Sequence, residues 1–340
     1  MRTVDHHALD ELDQRLLHAL EVDARASFSR IAAVLRVSDQ TVARRFKRMR
    51  TEGRVRVVGV RDHTVLGQES WTLRLRCAPE SAGAISRALA RRPDTAWIAL
   101  TSGGTEVVCV TRARSRGEHE ELLLGKLPRT PRIVEIQAYQ ALHRFYGGPA
   151  GWFAKSTALT AEEVALLRPR YGAQDGPGAD GQRPRVRITE EDEPLVAALE
   201  ADGRASFAEL QKLTGRSESA LRRRLDQLLA SGALYIDTQF DSEWLGHVSA
   251  AMLWITAAPA ALASVGAAMA AHPEVVFAGA AAGPCNLLAV VLNRDTEALY
   301  TYLTEKLGVL EGVQHVECTP VLRRVKQLMY EEDPAGRRSS

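Results

Sequence analysis

The sequence predicts an α+β chain in which one unit, a three-helix or winged helix-turn-helix segment followed by a βαββαβ sheet domain, occurs twice in tandem. Two observations lead there: a long internal repeat, and within each copy a change from helical to alternating apolar spacing.

The repeat sets the organisation. DARASF at Asp23–Phe28 recurs as DGRASF at Asp202–Phe207, an offset of 179 residues, and the same offset relates Asp13 to Asp192, Leu16 to Leu195, Ser38 to Ser217, and Arg44 and Arg45 to Arg223 and Arg224. From Pro79 onward the offset is 180, as in Pro93 to Pro273 and Gly103 to Gly283, so one residue is inserted between Gly67 and Pro79. This register divides the chain into helix-turn-helix domains at 1–62 and 187–241 and sheet domains at 63–147 and 242–330. A short helix and flexible linker occupy 148–186, and a disordered tail 331–340. In the connecting region Thr160 stands as an N-cap with Glu163 three positions on, a capping box for a helix that packs on a neighbour. Gly172 to Arg185, rich in Gly, Pro and polar residues, has no apolar period and reads as the linker.

In copy one, Leu9, Leu12, Leu16, Leu17 and Leu20 recur at three-to-four spacing and predict the first helix. Ser27 caps a second with Ile31, Val34 and Leu35 inward, and Ser38 caps a third with Val42, Phe46 and Met49 inward. That leaves Gln40, Thr41, Arg44, Arg45 and Arg48 outward, and Gly53 ends the helix before the strand RVRVVGV. Copy two repeats the plan with Leu195, Leu199, Leu210 and Leu213, the cap Ser217, then Leu221, Leu225 and Leu228 inward and Ser219, Arg222, Arg223 and Arg224 toward the surface. A capped third helix after a tight turn is the arrangement that enters the DNA major groove. From Arg25 to Arg61 eleven Lys or Arg face only Asp39 and Glu52, a local charge of +9 on a chain whose total is +2. Such concentration suits phosphate neutralisation. From Arg204 to Phe240 the balance is only +2, which predicts that copy two binds DNA less tightly or mainly dimerises.

The remaining composition excludes other classes. With 45% hydrophobic and 25% charged residues in 340, the chain has the make-up of a folded, multidomain protein. Cys77, Cys109, Cys285 and Cys318 stand singly, so we expect no metal and no cofactor. The N-terminus lacks the basic and apolar regions of a signal peptide, which points to the cytoplasm. Trp244 to His272 carries no Asp, Glu, Lys or Arg, but its Ala, Gly, Pro and hydroxyl content and its alignment with a charged stretch of copy one argue against a membrane span.

In the second part of copy one, WTLRLRC, WIALTS, EVVCVT and IVEIQAYQAL read as strands and residues 81 to 91 and HEELLLGKL as helices. Copy two repeats the order with AAMLWIT, an Ala-rich helix, VVFAGA, NLLAVVL, EALYTYLTEKL and VQHVECTPVL.

The stretch from Leu9 to Val55, with its Leu-Asp start, a second Asp three residues on, and Asp-x-Arg-x-Ser, resembles the leucine-responsive/AsnC ("feast or famine") family of transcription regulators over about fifty residues. Copy two matches more weakly, with Thr189 in place of the first Asp. The resemblance implies sequence-specific binding of double-stranded DNA, a ferredoxin-like domain that dimerises and senses small molecules, commonly amino acids, and a homo-oligomer. DNA contacts fall to Ser38, Gln40, Thr41, Arg44, Arg45 and Arg48, and to Ser217, Ser219, Arg222, Arg223 and Arg224. Family members often carry Gly-x-x-Asp between the second and third strands beside the effector pocket. Here Gly103 with Glu106 and Gly283 with Asn286 occupy it, a departure from the usual Asp. The two copies are expected to pair within one chain as a pseudo-dimer, spacing the recognition helices by about one DNA turn, ~34 Å, or a multiple.

Two other readings fit the length and repeat. Siroheme decarboxylases share the fold and include fused two-copy chains, but His119, His143 and His315 stand singly, so we expect no enzyme. A co-regulator without DNA binding is a reading that copy two alone would fit, and the charge of copy one argues against it for the whole chain. The contrast between Gln68–Arg92, with seven charged residues, and His247–His272, with none, further predicts chain association through the copy-two sheet domain, across Ala261 and Ala268.

Overall fold

The computed structural model describes residues 9–112, 116–155, 157–169, 186–327 and 330–331. The predicted linker from Gly172 to Arg185 and nearly all of the predicted tail lie outside them. Copy one runs α1 (Glu11–Val22), α2 (Phe28–Leu35), α3 (Asp39–Thr51), β1 (Val55–Arg61), β2 (Trp71–Cys77), α4 (Ala82–Ala90), β3 (Thr95–Thr101), β4 (Glu106–Thr111), α5 (Arg116–Glu120) and β5 (Ile133–Tyr146). After α6 (Ala161–Leu167), copy two gives α7 (Glu193–Ala201), α8 (Phe207–Thr214), α9 (Glu218–Ser231), β6 (Leu234–Phe240), β7 (Ser249–Ala257), α10 (Leu262–Ala271), β8 (Val275–Ala282), β9 (Leu287–Asn293), α11 (Thr296–Thr301), β10 (Val313–Gln327) and β11 (Tyr330–Glu331). No helix among the described residues is long and apolar enough to cross a membrane.

The chain forms two compact units that alternate in sequence: one joins both helix-turn-helix segments and the connecting region, the other joins both sheet segments. In the helical unit the predicted caps are made. Ser27 Oγ accepts from Arg30 N, Ser38 Oγ from Thr41 N and Ser217 Oγ from Ala220 N. Leu16, Leu17, Leu20, Ile31, Val42 and Met49 form the copy-one core, and Leu195, Leu199, Leu210, Leu221 and Leu228 that of copy two. Leu213 departs from the prediction and is exposed. Its counterpart Val34 is buried because α6 and its approach, through Phe153, Leu159 and Leu167, cover the copy-one helices. The α6 capping box of Thr160 and Glu163 is present as the sequence implied. β1 and β6 pair antiparallel with Val58 against Asp237, two positions that the repeat makes equivalent.

In the sheet unit the strands run β10–β3–β4–β2–β5–β8–β9–β7, and β7 pairs again with β10, closing the circuit. Both last strands are longer than expected, because each pairs with strands of both copies. β5 pairs with β2 up to Gln140 and with β8 from there to Tyr146. β10 pairs with β7 up to Pro320 and with β3 from Val321 to Lys326.

Strand alternation explains the part of the charge-free stretch that forms β7. On β7, Leu253 and Ile255 enter the core beneath α10 while Met252 and Trp254 enter a separate core with Val108 and Tyr139 of copy one. The strand is apolar because both of its faces are covered. On α10, Gly266 leaves room for the Phe145 ring, and a Cβ there would lie 2.3 Å from it. Ala261 lies against Gly312 in the same way. Packing inside the chain thus accounts for the small residues at Gly266 and at Ala261 beside Gly312, while Ala263, Ala267 and Ala271 of the same segment remain exposed.

Candidate nucleic-acid interface

The two third helices are held by their first helices through buried carboxylates. Asp13, 1% exposed, accepts from Arg45 Nη1 at 2.8 Å and Arg48 Nη2 at 2.6 Å, and Asp10 accepts from Arg45 at 2.6 Å. Asp192 does the same in copy two, accepting from Arg224 Nε at 2.8 Å and Nη2 at 2.6 Å. Thus Arg45, Arg48 and Arg224, expected outward, are engaged in fixing α3 and α9 to the bundle. The helical spacing alone gave no sign of this, although Asp13 and Asp192 share the register of Arg45 and Arg224 and could have suggested it.

Burial pushes the Asp192 carboxyl up, but hydrogen bonds from Arg224 and Thr189 outweigh it and hold the group at about 2, against an ordinary 3.8. A carboxyl depressed on folding contributes stability that is complete above the unfolded value and is lost as pH falls through the folded one. The shift corresponds to about 2 kcal/mol. Between pH 5 and pH 2 the wild-type chain should therefore lose about 2 kcal/mol more stability than Asp192→Asn, as read by denaturant titration at each pH. Equal losses would contradict this role for the carboxylate.

What remains outward is a smaller set. Gln40 and Arg44 are exposed and, with Lys47, lie at i, i+4 and i+7 on one side of α3. Among the described residues Arg44 and Lys47 have no side-chain partner. Ser38 and Thr41 are joined hydroxyl to hydroxyl at 2.8 Å at the helix start. On α9, Ser217 caps the helix and shares a 3.3 Å contact with Ser219, while Arg222 pairs with Glu218 at 2.8 Å and lies 4.3 Å over the Phe207 ring. Arg223 is exposed and without a partner among the described residues.

The helix-turn-helix segments clasp each other through the repeated Asp-x-Arg-x-Ser stretch. Arg25 donates to the carbonyls of Gly203 and Ala205 at 2.5 and 3.0 Å, and Arg204 returns the contact to Ala24 and Ala26 at 2.5 and 2.9 Å. Arg204 also lies 4.6 Å over Phe28, and Arg25 lies 5.5 Å over Phe207. Both arginines belong to the local charge counted from the sequence, yet they are consumed in the clasp.

In the sheet unit the residues proposed for an effector are structural partners. Glu106, buried, accepts from Arg74 at 3.0 and 3.1 Å and from Ser102 Oγ at 2.8 Å. Asn286 bonds both backbone groups of Ala257, at 2.9 and 2.8 Å. Gly103, at φ +65°, and Gly283, packed on Tyr139, form the two turns. No group of three or more His, Cys, Asp or Glu among the described residues could hold a metal ion.

Residues 9–50 match the AsnC-type helix-turn-helix domain, and residues 250–330 match the Lrp/AsnC ligand binding domain. The HTH-type transcriptional regulator FL11 of Pyrococcus horikoshii is 27% identical over 144 residues, 42% of this chain and 95% of that protein. An uncharacterized HTH-type transcriptional regulator of Pyrococcus abyssi is 28% identical over 147 residues, 43% and 92% of the two chains. In fold, the chain is similar to the crystal structure of the siroheme decarboxylase NirDL, with a TM-score of 0.62, 15% identity and 96% of both chains covered.

Proposed function

Because this chain belongs to the Lrp/AsnC family of helix-turn-helix regulators, in a form with two copies fused, we propose that it binds double-stranded DNA sequence-specifically and regulates transcription. The observation that carries this reading is α3. It is capped at Ser38, fixed from behind by Asp13, and leaves Gln40, Arg44 and Lys47 on one free side. Gln suits adenine and Arg suits guanine in the major groove, and Lys neutralises phosphate.

The two copies act as an intrachain pseudo-dimer. Support comes from the β1–β6 register centred on equivalent residues and from the reciprocal clasp of Arg25 and Arg204. An amino-acid-like effector would bind at the turns of Gly103 and Gly283. Glu106 and Asn286 would shape those turns through their framework bonds rather than offer a free acceptor to an ammonium group. The test is a nuclease footprint of the full chain on the promoter of its own gene. Protection in one or more blocks about one helical turn wide is expected, and an unprotected fragment at micromolar protein would contradict the reading.

A second reading, a decarboxylase acting on siroheme as NirDL does, is favoured by one observation: the fold similarity spans both copies. At 15% identity it supports the architecture alone. Incubating the chain with siroheme separates the readings, since a decarboxylase would release carbon dioxide and shift the visible absorption band.

A further inference from the structure

The pseudo-twofold relation of the two helix-turn-helix segments makes each outward residue of α3 comparable with one on α9, and the chemistry of the two sides differs. Arg44 and Arg223 are the same residue in the same place, both exposed. Four positions before them Gln40 stands opposite Ser219 in the repeat, so a long side chain able to donate and accept at once becomes a short hydroxyl. Three positions after them Lys47 corresponds to Asp226, a reversal of charge on the same side of the helix. The other arginines do not offset it. Arg222 is held by Glu218 and Phe207, and Arg224 by Asp192. Among the described residues the outward side of α9 therefore has one unpartnered cation beside a carboxylate, where α3 has two unpartnered cations.

Resting on the DNA-binding reading above, we propose that the DNA site of this chain is asymmetric, made of two unlike half-sites with the affinity concentrated on the one that α3 reads. Phosphate attracts Lys47 and repels Asp226. A carboxylate can only accept in the groove, so it fits a base edge that donates, such as the amino group of cytosine, and not the acceptor edge of guanine that suits an arginine. A twofold-symmetric sequence would offer both helices the same edges and the same phosphates. Such a sequence cannot match both sides at once.

The experiment is selection of duplexes from a random-sequence library by the full wild-type chain, followed by salt titration of Asp226→Lys and Lys47→Asp on the selected duplex. A consensus without twofold symmetry and with one dominant element is expected. Asp226→Lys should bind more tightly, with a salt slope steeper by about 0.9, and Lys47→Asp more weakly, with a slope shallower by about the same amount. A palindromic consensus, or two variants that change affinity and slope alike, would overturn the asymmetry while leaving the DNA-binding reading in place. A library that yields no enriched sequence would overturn both. The selection uses the wild-type chain, so a folding defect in either variant does not decide the outcome.

Discussion

Replacing Arg74 with Met should lower the stability of the sheet unit by about 3–5 kcal/mol. Arg74 is buried on β2 and bonds Glu106 on β4 through three hydrogen bonds and Glu317 on β10 through two. Its guanidinium also lies 4.9 Å over the Trp254 ring. Glu317 is half exposed and can turn to water when the arginine is removed. Glu106 cannot, since its side chain is only 5% exposed. A buried carboxylate left with only the exposed Arg76 at 3.9 Å is the costly state, so Glu106→Gln added to Arg74→Met should recover a substantial part of the loss. Denaturant titration of the three chains checks this. A single variant within about 1 kcal/mol of wild type would show that the network carries little of the fold's stability.

The clasp should give the next largest effect. Arg25→Ala or Arg204→Ala each removes two charge-assisted hydrogen bonds to carbonyls and one or more contacts with aromatic rings. Hydrogen bonds to charged groups contribute about 1.5–3 kcal/mol each, and the freed carbonyls regain water, so a loss of about 2 kcal/mol per variant is expected. The two arginines sit across one interface and sense each other, so the double variant should depart from the sum of the single ones. Melting curves of the single and double variants test it. Strict additivity would indicate two independent contacts instead of one reciprocal joint.

Much of this architecture is legible in the sequence because local rules and the repeat agree. Ser27, Ser38 and Ser217 cap where expected, and Val42, Phe46 and Met49 fill the core on the helical period. What escaped the sequence is set by contacts between copies or between distant segments. The second halves of β5 and β10 form ladders only because β8 and β3 lie beside them. Trp254 takes the place of Arg74 in the repeat because each strand has a second face turned to the other copy. Arg45, Arg48 and Arg224 are on the polar side of their helices by spacing, yet Asp13 and Asp192 claim them from helices about thirty residues earlier. The candidate interface is thus narrower than a helical projection suggests, with Gln40, Arg44, Lys47 and Arg223 as its side chains without a partner among the described residues.

Binding of DNA by the exposed side of α3 is read by fluorescence anisotropy of a labelled duplex, from the selected pool or the chain's own promoter, titrated with wild-type and Arg44→Ala chains across a range of salt. Saturable binding whose affinity falls with salt is expected. Arg44→Ala should weaken binding by about 1–3 kcal/mol if it reads a base, with relaxed specificity at one position, or should reduce the salt slope by about one unit if it meets a phosphate. Identical curves for the two chains, or no binding by either, would contradict it.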